Sequence, residues 1–503
     1  MVRRAAPGHA PARAVRCRLA LASVVLLAAT MGGSFAAPSD AATAEVSAIQ
    51  AIRIDPIPGL AEEFIRGVDI STLEKVEHYG GRFFEHGEEK DLLDILRGRG
   101  VNWVRLRVWN DPVLDEGFNG PEGLVRMARR VKEKGFKLLV DFHYSDHWAD
   151  PGKQNKPAAW EGLDFPQLKA AVYDFTYDVI SKLREAAALP DMVQIGNEIR
   201  TGMLWPDGRL GTPPNAYGSD FDRLAALLAE GIRAVHDAAG EGNVKIALHL
   251  DDGGNNSLYR WWFDQIVQRG VAFDVIGLSY YPYWHGTLAQ LKANMNDISH
   301  RYGKDVAVFE TAYAFTFSNA DGYPNIFGPE QARAAGFPVS VQGQADAVRA
   351  VMEAVAQVPG GRGLGVFYWE PAWLGVPGAG WTRGAGNAWE NQAMFDFQGN
   401  ALDSLYVFSA VLEPVPVAAP ALRLENTEGQ LRPEDLPARV QVVYSDGVVR
   451  EVAVRWEFEG SAAGSGLGEV EATSGKASAT SKIRGRIEGS ELPVELVLAA
   501  SSP

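Results

Sequence analysis

The length, composition and charge of the chain restrict its class before any motif is considered. With 503 residues, of which 46% are hydrophobic and 10% aromatic, the chain is long enough for one large domain and one small domain, each with a packed core. Its formal net charge of -15 argues against nucleic acids and anionic membrane surfaces as partners.

The N-terminus has the features of a secretory signal peptide. Residues 1–18 carry five arginines and no acid, LALASVVLLAA follows, and Ser34-Phe35-Ala36 is a small-x-small cleavage site. A membrane anchor is the alternative, but the apolar run is short for a bilayer. We predict cleavage after residue 36 and a secreted protein, extracellular or associated with the cell wall. The mature chain would lack Cys17, the only cysteine, and its formal charge would fall from -15 to -20.

From residue 66 onward, short apolar runs alternate with amphipathic segments. Several amphipathic segments end at glycine, as helix C-termini do, and the alternation predicts parallel strands with helices outside them. Eight repeats favour a closed (β/α)8 barrel over an open sheet. The predicted strands are RGVDIS (66–71), VNWVRLRVW (101–109), FKLLVDFHY (136–144), DMVQIGNE (191–198), NVKIALHL (243–250), FDVIGLSYY (273–281), DVAVFET (305–311) and GLGVFYWE (363–370).

The composition changes near residue 412, where LEPVPVAAPA is rich in proline and alanine. Beyond it, two alternating runs flank Ser445-Asp446-Gly447, which is a hairpin signal. Val452, Val454, Trp456 and Phe458 share one face, so Trp456 is predicted to belong to a core and not to a sugar-binding surface. We predict a signal peptide (1–36), an N-terminal extension (37–60), a barrel domain (61–412), a linker (413–420) and an all-β domain (421–503).

Ionisable side chains occur at the ends of the predicted strands, where a (β/α)8 barrel has its active site. Glu198 ends the fourth strand and Glu310 the seventh, and we expect these strands to lie on opposite sides of the barrel mouth. Glycoside cleavage needs one protonated carboxyl group as acid and one ionised carboxylate as nucleophile or base. The pair therefore predicts a glycosidase, although either glutamate alone would more simply be structural.

The neighbours of these glutamates suit the same chemistry. Asn197 would hold a sugar hydroxyl, and Tyr281 would donate a hydrogen bond to the nucleophile. Arg105 or Arg107 would keep the nucleophile ionised, unless both arginines pair with aspartates instead. Sugar rings stack on aromatic rings, so we expect a carbohydrate cleft to contain at least four of ten aromatics near strand ends: Trp109, Tyr144, Trp148, Trp160, Tyr280, Trp284, Tyr313, Trp369, Trp373 and Trp381.

Residues 60–412 resemble the arabinogalactan endo-β-1,4-galactanases of glycoside hydrolase family 53. The resemblance is carried by GVDISTL, VRLRVWNDP, DFHYSDHWADPGKQ, QIGNEI, SYYPYWHGTL, ETAYAFT and WEPAW, with NQAMFDF following. It implies a barrel of retaining enzymes that cut β-1,4-galactan, with Glu198 as acid/base, Glu310 as nucleophile and no cofactor for the chemistry. The YSDG turn of the tail resembles bacterial Ig-like domains.

The resemblance also suggests substrate contacts and a metal. Discrimination of the axial galactose hydroxyl is expected from loop residues, and the predicted substrate-binding residues are His143, Asp150, Lys153, Trp109, Trp284, Tyr313, Trp369 and Trp373. Bacterial members often carry a calcium ion between the loops after strands seven and eight. The corresponding oxygen ligands would be Asn319, Asp321, Asn387 and Glu390, a set poorer in acids than is usual in the family.

Two alternatives compete with this interpretation, and the chain is expected to be a monomer in either case. A carbohydrate-binding protein on an inactive barrel would be favoured by a lost carboxyl group, but both glutamates are present. Another barrel glycanase, such as a cellulase or mannanase, would share the paired glutamates. The long loop motifs favour the galactanase family over it.

Overall fold

The computed structural model describes residues 51–211, 220–240, 243–382, 384–419, 422–426, 436–457 and 482–500. The predicted signal peptide, residues 37–50 of the predicted extension and Phe458 lie outside the described residues. Within the described residues, no helix combines the length and apolarity needed to cross a membrane.

Eight parallel strands close into a barrel, as the sequence predicts. The order around the barrel is β1-β8-β7-β6-β5-β4-β3-β2, with β2 pairing back onto β1. The strands are β1 (Ile65–Asp69), β2 (Trp103–Val108), β3 (Lys137–Phe142), β4 (Met192–Ile195), β5 (Lys245–Leu250), β6 (Val275–Ser279), β7 (Asp305–Thr311) and β8 (Gly363–Trp369). Each observed strand begins and ends within two residues of the predicted bounds, except β4, which ends three residues before Glu198.

Helices between the strands cover the barrel on the outside. They are α1 (Leu73–His78), α2 (Leu92–Gly98), α3 (Pro121–Glu133), α4 (Phe165–Glu185), α5 (Phe221–Ala239), α6 (Asn256–Gln268), α7 (Leu288–Tyr302), α8 (Pro329–Ala335), α9 (Val341–Ala356) and α10 (Val407–Ala410). Local sequence sets their ends: Asp164 and Gln167 form a capping box at the start of α4, and Gly303 ends α7 in the left-handed region.

Short elements interrupt the loops between these strands and helices. Two antiparallel ribbons pair Phe84–Glu85 with Glu88–Glu89 and Gly202–Met203 with Gly208–Arg209. Single 3-10 turns occur at Val113–Asp115, Ala158–Trp160, Ile199–Thr201, Pro359–Gly361, Glu390–Gln392 and Asp403–Tyr406.

The inside of the barrel is layered because successive inward side chains are two residues apart along each strand. An apolar layer inside the barrel includes Trp103, Leu139, Phe309 and Phe367. Gly277 makes room for this layer, since a Cβ atom there would lie 2.3 Å from the Phe309 ring. The next inward positions carry polar groups: Arg105 on β2, Asp141 on β3, Gln194 on β4 and His249 on β5, all buried. The sequence therefore places charge directly above an apolar plug.

The C-terminal domain is an all-β unit with its own core. Its strands are β9 (Pro416–Ala418), β10 (Leu422–Asn426), β11 (Arg439–Tyr444), β12 (Val449–Glu457), β13 (Lys482–Ile487) and β14 (Pro493–Ala500), in the order β9-β11-β12-β13-β14-β10. β12 pairs through its first half with β11 and through its second half with β13. Trp456 packs on the core, and its Nε1 donates to the Pro437 carbonyl at 2.8 Å, so the prediction that Trp456 is a core residue is confirmed.

Among the residues that the structure describes, few hydrogen bonds join the barrel to the tail. The Ile54 amide donates to the Ser445 carbonyl at 2.7 Å, and the Ser445 amide donates to the Val415 carbonyl at 2.8 Å. The remaining ties include exposed ion pairs such as Lys90 with Glu491 at 3.6 Å, which contribute little in water. The apolar core around the barrel and the core of the tail are separate clusters.

Truncation after Leu412 is expected to leave a barrel that unfolds cooperatively, because no barrel strand lies beyond that residue. A small loss of melting temperature follows from removing Val417, which packs on the barrel core. Calorimetry of the truncated and full-length proteins measures this. Loss of a cooperative transition in the truncated protein would show that the tail completes the barrel's core.

Candidate active site

A cavity of about 330 Å³ opens at the carboxyl ends of the barrel strands. Glu198, Glu310, Arg105, Asn197 and Tyr281 all line it. The structure therefore brings together the two predicted catalytic glutamates and the three predicted supporting residues.

The two glutamates approach each other from strands that lie three positions apart around the eight-stranded barrel. β5 and β6 alone separate β4 from β7, so the expectation that these strands lie on opposite sides of the mouth is wrong. A register shift after Leu278 pairs Ser279 with Glu310. One carboxylate oxygen of Glu198 and one of Glu310 lie within 4.8 Å of each other. At that separation a reacting carbon fits between the groups more readily than an additional water molecule.

Arg105 organises the Glu310 side of the cavity. Its Nη1 lies 2.7 Å from Asp69 Oδ2 and 3.0 Å from Glu310 Oε1, and its Nη2 lies 2.8 Å from Asp141 Oδ2. Tyr281 donates its hydroxyl to Glu310 Oε2 at 3.0 Å. Arg105 thus pairs with the aspartates and with Glu310 at once.

Arg107 has a different partner from Arg105, although the two alternate on the same strand. Its Nη1 lies 2.8 Å from Glu370 Oε1, and its guanidinium lies 4.2 Å from the centre of the Trp148 ring. This cation–π contact fixes a cavity-lining aromatic. Arg107 therefore shapes the wall of the cavity while Arg105 contacts Glu310.

The surroundings of the two glutamates determine which carboxyl group loses its proton first. Burial raises the pKa of Glu310 to about 7, while Arg105 and the Tyr281 hydroxyl favour its charged form. Burial and then the charge of Glu310 raise the pKa of Glu198 well above its ordinary value, and the hydrogen bond from Ser279 opposes this rise. Since Arg105 pairs with Glu310 and no cation among the described residues pairs with Glu198, Glu310 ionises first and Glu198 keeps its proton.

His249 lies beside both glutamates, and the three side chains form the one group of three potential metal-binding residues among the described residues. Both ring nitrogens are already used: Nδ1 accepts from Gln194 Nε2 at 3.0 Å, and Nε2 lies 2.9 Å from Ser279 Oγ. Burial lowers the pKa of His249 well below its ordinary value, so the ring is neutral. Its contacts fit a hydrogen-bonding role and leave no nitrogen for a metal.

The predicted substrate-binding residues separate into two groups. His143, Asp150, Lys153, Trp284 and Trp369 line the cavity. Trp109, Tyr313 and Trp373 are almost fully buried and do not line it. Four of the ten aromatics considered for a carbohydrate cleft line the cavity, namely Trp148, Trp284, Trp369 and Trp381.

The contacts of the lining residues indicate what each can offer a ligand. His143 Nδ1 accepts from Trp109 Nε1 at 3.2 Å, and its Nε2 lies 3.0 Å from Asp141 Oδ2, so only the ring face and edge remain. Asp150 and Lys153 form an ion pair at 3.1 Å with side chains 40% and 49% exposed. These two groups remain accessible to hydroxyls.

Sequence reasoning did not single out several cavity residues, including Asp251, His285 and Trp389. Asp251 directly follows the apolar run of β5, which is the signal that singled out Glu198 and Glu310. Its Oδ1 is buried without a hydrogen-bond partner among the described residues, and burial raises its pKa to about 7. Trp389 follows β8 by twenty residues, so no local pattern placed it in the cavity.

The four predicted calcium ligands fit a cation only in part. Glu390 Oε2 is buried without a partner among the described residues, and after burial the neighbouring Asp321 is the charge that raises the pKa of Glu390. Asn387 Oδ1 instead accepts from the Trp389 amide at 2.8 Å, and Asn319 Oδ1 from the Gly322 amide at 2.5 Å. The Asp321 oxygens accept backbone amides as well, from Tyr323 at 2.7 Å and from Asn387 at 2.6 Å, so Glu390 Oε2 alone among the four predicted ligands is a buried oxygen without a partner. Asp321 and Glu390 are the two carboxylates of the set and would hold the ion, because carboxylate oxygens suit calcium.

Comparison with known proteins places the two domains in families. A family model described as Glycosyl hydrolase family 53 matches residues 65–408, and one described as Bacterial Ig-like domain (group 4) matches residues 425–475. The endo-beta-1,4-galactanase of Bacillus subtilis (strain 168) is 36% identical over 392 residues, which cover 71% of this chain and 87% of the relative. The arabinogalactan endo-beta-1,4-galactanase of Cellvibrio japonicus (strain Ueda107) is 35% identical over 361 residues, with coverages of 69% and 91%.

Solved structures agree with the family match. The Ignisphaera aggregans GH53 catalytic domain is 46% identical, with a TM-score of 0.68, and the match covers 72% of this chain and 100% of that chain. A fungal beta-1,4-galactanase structure is 34% identical, with a TM-score of 0.60 and coverages of 69% and 98%. At 46% and 34% sequence identity, both matches indicate a shared family and not only a shared fold.

We propose that the loops after β7 and β8 bind one calcium ion through Asp321 and Glu390. Excess chelator is then expected to lower the melting temperature, because an ion bound only by the folded state stabilises it, while turnover persists because two carboxyl groups need no metal. Glu390→Gln should abolish the response to chelator. Asp396→Asn, in a different turn where Asp396 accepts from the Gln398 amide at 2.9 Å, should keep it. An unchanged melting curve of the unaltered protein in chelator would contradict the site.

Proposed function

The chain belongs to glycosyl hydrolase family 53, and we propose that it is an endo-β-1,4-galactanase that cleaves galactan and type I arabinogalactan with retention of configuration. The observation that carries the retaining mechanism is the approach of the Glu198 and Glu310 carboxylate oxygens to within 4.8 Å. Retaining enzymes place their carboxyl groups about 5–5.5 Å apart, whereas inverting enzymes need roughly 6.5–9.5 Å. The substrate is inferred from the names of the relatives.

The first step forms a bond between Glu310 and the sugar. A Glu310 oxygen attacks the anomeric carbon while the carbon–oxygen bond to the leaving sugar breaks and Glu198 gives its proton to the leaving oxygen. Arg105 at 3.0 Å keeps Glu310 ionised for the attack. Asn197 Nδ2 spends one hydrogen on the Ala149 carbonyl at 3.0 Å, which leaves its second hydrogen for a sugar hydroxyl.

The second step releases the sugar by hydrolysis. Once Glu310 is esterified its negative charge is gone, so the pKa of Glu198 falls and its carboxylate acts as a base. Glu198 takes a proton from water, the resulting hydroxide attacks the anomeric carbon, and the Glu310 carboxylate leaves. The same change of charge therefore converts Glu198 from acid to base within one cycle.

Glutamine substitution should separate these two roles. Glu198→Gln and Glu310→Gln are each expected to lower turnover on galactan by roughly three orders of magnitude or more, because each removes a group that the reaction requires. Reducing-sugar release measures this, and melting curves check the fold. Azide is expected to restore cleavage of an activated aryl β-galactoside only in the Glu198 variant, where the nucleophile is intact. A variant that keeps more than about a tenth of the activity would contradict the role of that residue.

Retention can be tested on the first-formed product. Proton NMR of a digest of β-1,4-galactan is expected to show the β-anomer before mutarotation, because two inversions restore the original configuration. An initial α-anomer would refute the retaining mechanism and the nucleophile role of Glu310 together.

The polysaccharide specificity separates the proposal from another barrel glycanase. Galactan differs from cellulose in the axial orientation of its C4 oxygen, which carries the linkage, and the accessible Asp150 and Lys153 pair lines the cavity. Activity on galactan with none on cellulose or mannan is expected. A preference for cellulose or mannan would favour the alternative, and binding of galactan without cleavage would favour an inactive carbohydrate-binding barrel.

We also propose that the protein is exported and acts outside the cell or at the cell wall. The support is the arginine-rich start, apolar run and Ser34-Phe35-Ala36 site. Mass spectrometry of the protein from the culture medium of an expressing bacterium is expected to give an N-terminus just after residue 36. A protein that keeps its first residues and stays in the cell would contradict export.

A further inference from the structure

We propose that His249 and Ser279 form a hydrogen-bond relay that fixes which carboxyl oxygen of Glu198 carries the acid proton. In this arrangement Oε1 always accepts from Ser279, and Oε2 holds the proton that is given to the leaving oxygen. Both residues are positioning residues, because they act through Glu198. The inference rests on the proposed acid/base role of Glu198 and adds to it a defined protonation site.

The direction of the relay follows from one backbone group. The amide N–H of Glu198, which can only donate, points to His249 Nδ1 at 3.4 Å, and Gln194 Nε2 points to the same nitrogen at 3.0 Å. Nδ1 therefore carries a lone pair and no proton. Since the ring is neutral, its proton lies on Nε2.

Asn197 Oδ1 also lies 3.0 Å from His249 Nδ1, but it does not need the imidazole proton. That oxygen already accepts from Arg105 Nη2 at 2.9 Å and from Gln194 Nε2 at 3.1 Å. Gln194 Nε2 has two hydrogens and lies within 3.1 Å of three acceptors, namely the Gly196 carbonyl, Asn197 Oδ1 and His249 Nδ1. The Glu198 amide is therefore the group that sets the direction at His249 Nδ1.

Ser279 accepts a hydrogen bond from His249 and donates one to Glu198. His249 Nε2 donates to Ser279 Oγ at 2.9 Å, so the single hydroxyl proton of Ser279 is free to point at Glu198 Oε1, 2.7 Å away. An oxygen that accepts this bond is a poor site for the acid proton. The proton of the neutral carboxyl group therefore occupies Oε2.

The relay also holds an unusual backbone. Glu198 has φ 48° and ψ 48°, a left-handed conformation that costs a non-glycine residue energy and persists where the surroundings enforce it. His249 ties the backbone amide of Glu198 at one ring nitrogen and, through Ser279, its side chain at the other. Both ends of the acid/base residue are thereby fixed to β5 and β6.

The acidic groups around Glu198 and the Ser279 hydroxyl act in opposite directions on the pKa of Glu198. The groups that raise the pKa of Glu198 after burial are Glu310 on β7, Asp251 after β5 and Asp150 after β3. Arg200 pairs with Asp251 at 3.3 Å, and His285, whose pKa burial lowers to about 4, also lines the cavity. Negative neighbours on three elements raise the pKa of Glu198, and the hydrogen bond from Ser279 lowers it.

The pH profile of Ser279→Ala tests the relay. Losing a hydrogen bond to the ionised carboxylate raises the pKa of Glu198, so the alkaline limb of kcat/KM on galactan is expected to move to higher pH. Hydrolysis of the glycosyl-enzyme, where Glu198 acts as base, should slow about tenfold, visible as a burst with an activated aryl β-galactoside. His249→Ala should move the limb in the same direction, and the double variant should add little to either single change.

Two further variants separate the relay from a packing effect. Ser279→Thr keeps the hydroxyl and should return the alkaline limb to that of the unaltered protein. Ser404→Ala is the control. It removes another buried hydroxyl, which donates to Gln344 Oε1 at 2.5 Å and does not line the cavity. This substitution should lower the stability of the protein without moving the alkaline limb. A folded Ser279→Ala protein whose alkaline limb is unchanged or lower would overturn the relay.

A measurement without turnover tests the relay independently of the proposed function. Nitrogen-15 NMR of histidine-labelled protein, with His249 assigned by substitution, is expected to show a neutral ring protonated on Nε2. A proton on Nδ1 would overturn the relay even in an active galactanase. Failure to cleave galactan, with the Nε2 proton present, would instead contradict the proposed function and leave the geometry of the relay intact.

Discussion

The cavity depends on one buried guanidinium. Arg105 is fully enclosed, and an unpaired charge in that position would be prohibitively costly. It is stabilised by Asp69, Asp141 and Glu310 together, and these acids are in turn tolerated because the arginine lies between them. Because this charge must be balanced, β1, β3 and β7 each place an acidic side chain beside the arginine of β2.

The apolar layer below Arg105 explains why this balance is so strict. Trp103 precedes Arg105 by two residues on β2, and Leu139 precedes Asp141 by two on β3, so the same inward rows change from hydrophobic to charged. A plug of aromatic rings excludes water from beneath the ion pairs. Charges act more strongly in such a medium, which is why burial and the neighbouring charges shift both glutamates.

The two catalytic glutamates of the proposal differ through their neighbours more than through their exposure. Glu310 has a cation and a phenol hydroxyl, whereas Glu198 has a serine hydroxyl backed by a neutral imidazole. A cation stabilises a permanent anion, while a neutral donor allows a group to hold or release a proton. The asymmetry of roles thus follows from which strand carries the arginine and which carries the histidine.

The outer wall of the cavity comes from parts of the chain that are far apart in sequence. Trp148 follows β3, while Trp381 and Trp389 follow β8, and the Trp148 and Trp381 rings lie 5.1 Å apart. Arg107 stacks on Trp148 and is itself anchored by Glu370. The wall therefore joins β2, which carries Arg105 and Arg107, to the segment that follows β8.

Much of the architecture was determined by the sequence alone. Hydrophobic periodicity predicted all eight strands, because a strand buried on both faces must be apolar over several residues whatever its neighbours are. The same rule singled out Glu198 and Glu310, since an ionisable residue at the end of such a run is costly without a role. Long motifs in the loops indicated the family, which the family model and the relatives confirm.

Tertiary structure alone decided which polar groups meet. Arg105 and Arg107 have the same chemistry and alternate on one strand, yet only the closed barrel gives one to Glu310 and the other to Glu370. Trp109 and Trp373 resembled Trp148 and Trp381 in the sequence but are buried behind them. The physical reason is that hydrogen bonds and ion pairs act over a few ångströms, whereas sequence patterns fix only the direction of a side chain from its own strand.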